Sequence, residues 1–280
     1  MTAPSTLARY AVMGHPIAHS KSPLIHSWFA QQTGQALSYT TIDVEPGHFT
    51  QAVHEFFAGG GAGLNITVPY KEEAWQLTEI CSEVAEQAAA VNVLYKGEGG
   101  QLCGDNTDGI GLVRDIVDNN GGRIKGRSLL ILGAGGAVRG ALAALVQHQP
   151  ERIVIANRTV SKAETLVQLF RDKAEIRACR YEDVNEPFDL IINGTSAGLQ
   201  GQMPALSADV IGPDTWCYDM MYSAGDTVFQ RWAKQYNAAK ALDGFGMLVE
   251  QAAESFMLWR GVRPLTAPVL KKLRLELLKI

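Results

Sequence analysis

The chain reads as an α/β protein whose second half is a doubly wound sheet running from about residue 123 to 243. Three observations predict this. Ser128-Leu-Leu-Ile-Leu132 is an unbroken apolar strand, as expected where helices cover both faces of a parallel sheet. It runs straight into Gly133-Ala-Gly-Gly-Ala137 and an Ala/Leu-rich helix that reaches His148. Strand and helix patterns then keep alternating, with strands at Arg152–Ala156, Ile176–Arg180, Asp189–Ile192 and Trp216–Met220 and a helix at Ser161–Phe170.

The first half is more broken. Tyr10–Met13 is a short apolar strand stopped by Gly14, and the polar loop Gly14–Pro23 leads into a helix at Leu24–Gln32 that Pro23 can open. Ser38–Asp43 alternates and is rich in Thr and Ile, which predicts a strand. A helical pattern at Phe49–Phe57 ends in Gly59-Gly60-Gly61. Gly63–Pro69 alternates again, with Leu64, Ile66 and Val68 on one face and Asn65 and Thr67 on the other. Helices are predicted over Glu72–Ile80 and Glu83–Ala90, and a hairpin over Val91–Tyr95 and Gln101–Cys103 around Gly97–Gly100. Ile110–Asn119 reads as a helix closed by Gly121-Gly122, and the chain is helical again from Gly244 to its end.

Bulk properties exclude several classes of function. The 280 residues allow two domains with full cores. Lys and Arg number 25 against 29 Asp and Glu, a net charge of −4 with both signs scattered, so there is no broad field for nucleic acid or an anionic membrane. Cys81, Cys103, Cys179 and Cys217 are far apart and form no CxxC pair, which suits reduced thiols. No apolar run approaches the ~18 residues of a membrane span. The start lacks the charged-then-apolar build of a signal peptide, so a cytoplasmic protein is expected. Leu and Ile alternate with Lys and Arg over Val269–Ile280, which a docking helix explains more simply than a membrane anchor. No metal is expected. His15, His19 and His26 would need a helix that Pro16 and Pro23 interrupt, and Asp105–Gly109 puts Thr107 and Gly109 where a calcium loop wants carboxylates or amides.

Gly133–Ala137 is a strand-to-helix turn of the kind whose backbone amides approach a pyrophosphate and set it on a helix dipole. Val138 stands where the third small residue of that fingerprint is usual. At the end of the following strand an NAD site usually offers an acid to the ribose 2′-hydroxyl. This chain instead has Asn157-Arg158-Thr159, a guanidinium and neutral donors that suit a 2′-phosphate, so NADP(H) is favoured.

The loop Leu102–Gly111 packs turn-formers and two acids between the hairpin and the next helix, and is expected to be where two halves of an active site meet. Lys71 lies near a helix N-terminus, where a cation opposes the dipole, and local physics gives it only Glu72 and Glu73 as solvated partners. Asp108 in a first helical turn is locally favourable whatever its function. Hydride transfer to a carbonyl needs a group that stabilises or protonates the developing alkoxide; a Lys and an Asp together supply one, but spacing alone does not bring them together. Ser20, Ser22, Asn65, Thr67 and Asn92 could hydrogen-bond a hydroxylated acid, and Gln251 sits on an otherwise apolar seam of the helix Met247–Arg260.

Seven stretches in order resemble the shikimate/quinate dehydrogenase family, NADP-dependent enzymes of aromatic amino-acid biosynthesis. They are Gly14–Pro23, Gly63–Lys71, Ala90-Val-Asn92, Gly104–Gly109, Gly133–Ala137, Asn157-Arg-Thr159, and Asp243–Val249 with Gln251. The resemblance implies reversible NADPH-dependent reduction of 3-dehydroshikimate to shikimate, with Lys71 and Asp108 as the catalytic pair. Ser20 and Ser22 would take the substrate carboxylate, Thr67, Asn92 and Gln251 the ring hydroxyls, and Tyr222 would close the substrate side. Gly133, Ala134, Gly135, Gly136, Ala137, Asn157, Arg158, Thr159, Thr195, Ser196, Met220 and Gly244 would line the NADP channel. It also implies a substrate domain of residues 1–110 completed by C-terminal helices in 244–280, and a Rossmann NADP-binding domain over 111–243. The implied partner is a small molecule, on a monomer or homodimer without nucleic acid or membrane. A quinate-accepting, NAD-using relative and a non-catalytic NADP-binding regulator are the rival readings. Arg158 with no nearby acid argues against the first, and intact Lys71 and Asp108 against the second.

Overall fold

The computed structural model describes residues 7–195 and 197–277. They form two compact units: the described chain up to Asp108 with Val249–Leu273, and Gly109–Leu248 with the described residues from Arg274 onward.

The first unit runs β1 (Ala8–Gly14), α1 (Ser22–Thr33), β2 (Leu37–Asp43), α2 (Phe49–Ala58), β3 (Gly61–Ile66), α3 (Lys71–Leu77), β4 (Ile80–Cys81), α4 (Glu83–Ala88), β5 (Val93–Lys96) and β6 (Leu102–Asp105). Its sheet has the order β2-β1-β3-β5-β6-β4. β1 is parallel to β2 and β3, whereas β5 is antiparallel to both its neighbours. The short turn after β5 enforces the reversal against β6, because a parallel return would need a crossover of a dozen or more residues. Asn65 of β3 and Asp105 of β6 both pair with Val93, the first residue of β5. One sheet edge therefore gathers the end of β3, the start of β5 and the end of β6. Ala11, Met13, Leu64, Ile66 and Leu94 fill the core with Phe49, Val53 and Tyr70.

The helix expected over 72–80 stops at Leu77. Thr78 turns extended (φ −75°, ψ 140°), and the amide of Glu79 donates to the carbonyl of Leu102 at 2.8 Å. Pairing with β6 thus claims residues 80–81 as a strand, a long-range effect that overrides the helical pattern.

The units divide one residue into α5 (Asp108–Arg114), and the second continues through β7 (Ser128–Leu132), α6 (Gly136–Gln147), β8 (Arg152–Ala156), α7 (Val160–Phe170), β9 (Ile176–Cys179), β10 (Phe188–Asn193), β11 (Ile211–Asp219), α8 (Val228–Gln235) and β12 (Lys240–Leu242). All six strands are parallel, in the order β12-β11-β10-β7-β8-β9. The order reverses between β7 and β10, so a crevice for a ligand opens at the carboxyl ends of those strands. The doubly wound fold is as the sequence predicts.

Two elements of this unit are additional to the sequence pattern. α8 carries a full capping box, with Thr227 Oγ1 accepting the Gln230 amide and Gln230 Oε1 accepting the Thr227 amide, so its start signal was present in the chain. β12 has no strand signature and exists because β11 offers it an edge. The helix expected over 110–119 widens to a π turn at Asp115–Asn119. There the buried Asp115 carboxylate accepts the Tyr218 hydroxyl at 2.7 Å and the Asn119 side-chain Nδ2 at 3.0 Å.

α9 (Phe245–Arg260) and α10 (Thr266–Leu277) close the described chain. Within the first unit, Trp259 stacks on Tyr10 with ring centres 4.7 Å apart and Phe256 meets Phe29 edge-on at 5.8 Å. A Cβ at Gly63 would run into the Trp259 indole, so that glycine is what lets α9 lie against β3.

Candidate active site

The edge where β3, β5 and β6 converge carries a closed polar network. The Lys71 ammonium, at the first residue of α3, is paired with Asp108 Oδ2, and the two side chains are only 12% and 7% exposed. The dipole penalty on Lys71 is thereby met by a carboxylate that lies far along the chain. Asn92 Nδ2 donates to Asp108 Oδ1 at 2.9 Å and to Thr107 Oγ1 at 3.0 Å, and lies 3.4 Å from Gln251 Oε1. Asn92 Oδ1 accepts the Thr107 amide at 2.8 Å. A buried carboxamide with this many partners has one orientation, so the Asp108 carboxylate is held from one side by Asn92 and from the other by Lys71.

A further layer supports these groups. Asn65 Nδ2 donates to the Asn92 carbonyl at 3.2 Å and to Ser255 Oγ at 2.9 Å, while its Oδ1 accepts the Tyr39 hydroxyl at 2.7 Å. Both donors of Asn65 are spent inside the protein, so toward a ligand it can act only as an acceptor. Thr107, Ser255 and Tyr39 are parts of the network that sequence reasoning missed. Thr107 had a usable signal, its place in the loop between two acids; Ser255 and Tyr39 had none, since each shares its element with several other polar residues and nothing local singles it out.

Ser22 is buried and Ser20 half-buried, and the Ser22 amide donates to Ser20 Oγ at 3.3 Å at the start of α1. Thr67 is half-buried where β3 ends. Its amide donates to the Met13 carbonyl at 2.9 Å, and its methyl occupies the space a Cβ on Gly14 would take. Lys71, Asn92, Asp108, Gln251 and Asn65 are thus brought into one network, with Ser20, Ser22 and Thr67 in the same unit.

The nucleotide features lie in the second unit. Gly133 has φ +101°, a conformation that favours glycine, and a Cβ there would meet Thr195 and the Gly194 backbone at 3.2–3.3 Å. A Cβ at Gly135 would meet nothing within 4 Å, so the loop faces open space. α6 starts at Gly136 without a side-chain cap, which leaves the amides of Gly136 and Ala137 for an anion. With Ala134 between the glycines, this turn fits a pyrophosphate. Val138 departs from the fingerprint at no cost in packing: its methyl fills the space above Gly194, the residue that follows β10. Asn157 Nδ2 donates to the Thr159 carbonyl at 2.8 Å, shaping the turn after β8, and Arg158 is exposed there. Such a cation fits a 2′-phosphate.

Thr195 Oγ1 donates to Asn193 Oδ1 at 2.8 Å. Gly244 packs so tightly on the Met220 carbonyl that no Cβ fits. Tyr222 lies 4.6 Å from the Phe245 ring, and burial pushes its hydroxyl pKa up. Ser196 lies outside the described residues. Among the described residues no group of three acids, histidines or cysteines is placed to hold a metal, and no helix is long and apolar enough to cross a membrane.

Comparison with known proteins identifies the family. Residues 12–94 match the shikimate dehydrogenase substrate binding domain, 115–200 the shikimate / quinate 5-dehydrogenase family, and 244–274 the shikimate 5′-dehydrogenase C-terminal domain. A shikimate dehydrogenase (NADP(+)) of Alkalilimnicola ehrlichii is 56% identical over 96% of this chain and 99% of its own. The crystal structure of an Ael1 enzyme from Pseudomonas putida has a TM-score of 0.89 at 46% identity, covering 95% of this chain and 98% of that one. Shikimate 5-dehydrogenase from Thermus thermophilus, solved with NADP(H) and shikimate, has a TM-score of 0.86 at 32% identity, covering 97% of this chain and 100% of that one. The chain belongs to the shikimate dehydrogenase family.

Proposed function

We propose that the chain catalyses the reversible NADPH-dependent reduction of 3-dehydroshikimate to shikimate, with Lys71 and Asp108 at the reacting oxygen. The observation that carries this reading is the Lys71–Asp108 pair, largely withdrawn from water and fixed by Asn92. NADPH, when bound, supplies the hydride. Gly133–Ala137 would hold its pyrophosphate, Asn157, Arg158 and Thr159 its 2′-phosphate, and Thr195, Ser196, Met220 and Gly244 the remainder.

The Lys71 ammonium donates to the substrate oxygen and offsets the negative charge that grows on it during reduction. Asp108, an acceptor, orients the neighbouring hydroxyl, and a proton passes between the reacting oxygen and the pair. Ser20 and Ser22 take the carboxylate, and Thr67, Asn65, Asn92 and Gln251 take the hydroxyls. The enzyme works in the cytoplasm as a monomer or homodimer, which its four free thiols and use of NADPH suit.

The test is oxidation of shikimate by the purified protein, followed by the near-ultraviolet absorbance of the reduced nicotinamide, with NADP+ and NAD+ and with quinate beside shikimate. Lys71→Ala should lower turnover by about 10²-fold or more while changing the KM for shikimate far less. A variant with normal turnover and only weakened affinity would remove Lys71 from the catalytic role.

A further inference from the structure

Asp108 is held at both ends. Asn92 and Lys71 fix its carboxylate, and a different residue fixes its backbone. Asn106 Oδ1 accepts the Asp108 amide at 3.1 Å, and the same carboxamide donates through Nδ2 to the Ala90 carbonyl at 2.9 Å. Asn106 is 3% exposed. Ala90 stands two residues before Asn92, so one side chain ties the segment that carries Asn92 to the segment that carries Asp108. Asn106 is itself anchored: its amide donates to Asp105 Oδ1 at 2.6 Å, and the Ser82 hydroxyl, which also caps α4, donates to that same oxygen.

We infer that Asn106 is a positioning residue for the reaction, acting through Asp108 by fixing where its segment stands relative to Asn92. The inference rests on the catalytic reading of Lys71 and Asp108 given above.

Its physical basis is leverage. The Asp108 side chain has two rotatable bonds, so its carboxylate is placed only as well as its Cα is. Without Asn106, the Asp108 amide and the Ala90 carbonyl each lose a partner in a site closed to water, and backbone shifts are the only way to satisfy them. A displacement on the order of 1 Å at a reacting group costs about 10²-fold in rate. A carboxamide is the group that answers both needs, because one end accepts and the other donates. Aspartate would keep the acceptor and lose the donor, and would add a third negative charge beside Asp105 and Asp108.

The test is a double-mutant cycle on the full-length enzyme. Asn106→Ala should lower kcat for shikimate oxidation by about tenfold to 10²-fold, with the KM for NADP+ within about twofold of the parent protein. Combined with Asp108→Asn, the same substitution should add little further loss, since the group it positions no longer works. Asn106→Ser, which can still accept the Asp108 amide but cannot reach Ala90, should recover part of the rate; it is run through the same cycle if Asn106→Ala does not fold. Equal losses in the Asp108 and Asp108→Asn backgrounds would overturn the inference, as would a normal kcat in a folded Asn106 variant. If the parent protein itself fails to oxidise shikimate with NADP+, it is the functional reading that falls.

Discussion

A methyl of Val138 fills the space in which a Cβ on Gly194 would lie. The two residues belong to different strand–helix turns of the second unit, and together they replace the small third residue of the usual fingerprint. Gly194→Ala should therefore destabilise the protein by about 1–3 kcal/mol through overpacking. Thermal or urea unfolding would show this, and Val138→Ala in the same chain should restore most of the loss. Failure of the second change to rescue the first would separate the two residues.

The Asn92 carboxamide holds both Thr107 and Asp108. Asn92→Ala should lower kcat by about 10²-fold and weaken the fold by about 1–3 kcal/mol, since the Thr107 amide is left buried and unpaired. Steady-state kinetics and denaturant unfolding on one preparation check both halves.

Arg158 is the cation at the end of β8, with the neutral Asn157 and Thr159 on either side. Arg158→Leu should raise the KM for NADP+ by about tenfold or more while leaving the KM for NAD+ within about twofold. An equal effect on both coenzymes would detach Arg158 from the 2′-phosphate.

His26 is buried in an aromatic cluster of the first unit, stacked on Tyr39 with ring centres 4.2 Å apart. Burial pulls its pKa down from 6.5 to about 3, against a smaller opposing pull from Asn65. Below 6.5 the unfolded chain binds a proton here that the folded chain refuses, so stability is undiminished above that pH and falls as the solution is acidified toward about 3. At about pH 5 the loss from this group is roughly 2 kcal/mol. His26→Phe, which keeps the ring, should flatten that part of the stability–pH curve. An unchanged slope in calorimetric or urea titrations would show that His26 does not set it.

Patterns of short range were readable in the sequence. The doubly wound sheet followed from local alternation, and the turn between β7 and α6 from glycines adjacent in the chain. Lys71 was different. Beside a helix N-terminus it had no local justification, and its partner became visible only when the fold closed residues 71 and 108 on each other. Thr78 shows the same limit for secondary structure: nothing in its neighbourhood stops a helix, and the competing bond, from the Glu79 amide to the Leu102 carbonyl, reaches another strand. Val138 looked like a departure for the same reason, since Gly194 answers it from elsewhere in the sequence. Asn65 read correctly as a polar residue on an apolar strand, but the fold commits both its donors to protein partners.

The reversed strand β5 has a consequence for how freely this protein can vary in length. Its beginning lies at the reactive edge, and its far end, after four residues or roughly 13 Å of strand, leads to the exposed turn at Glu98–Gly100. Whatever is spliced into that turn lies beyond the ladder that aligns Asn92 with Asp105. A short epitope placed between Gly99 and Gly100 should leave turnover unchanged, giving a site for tethering or labelling the enzyme while it works.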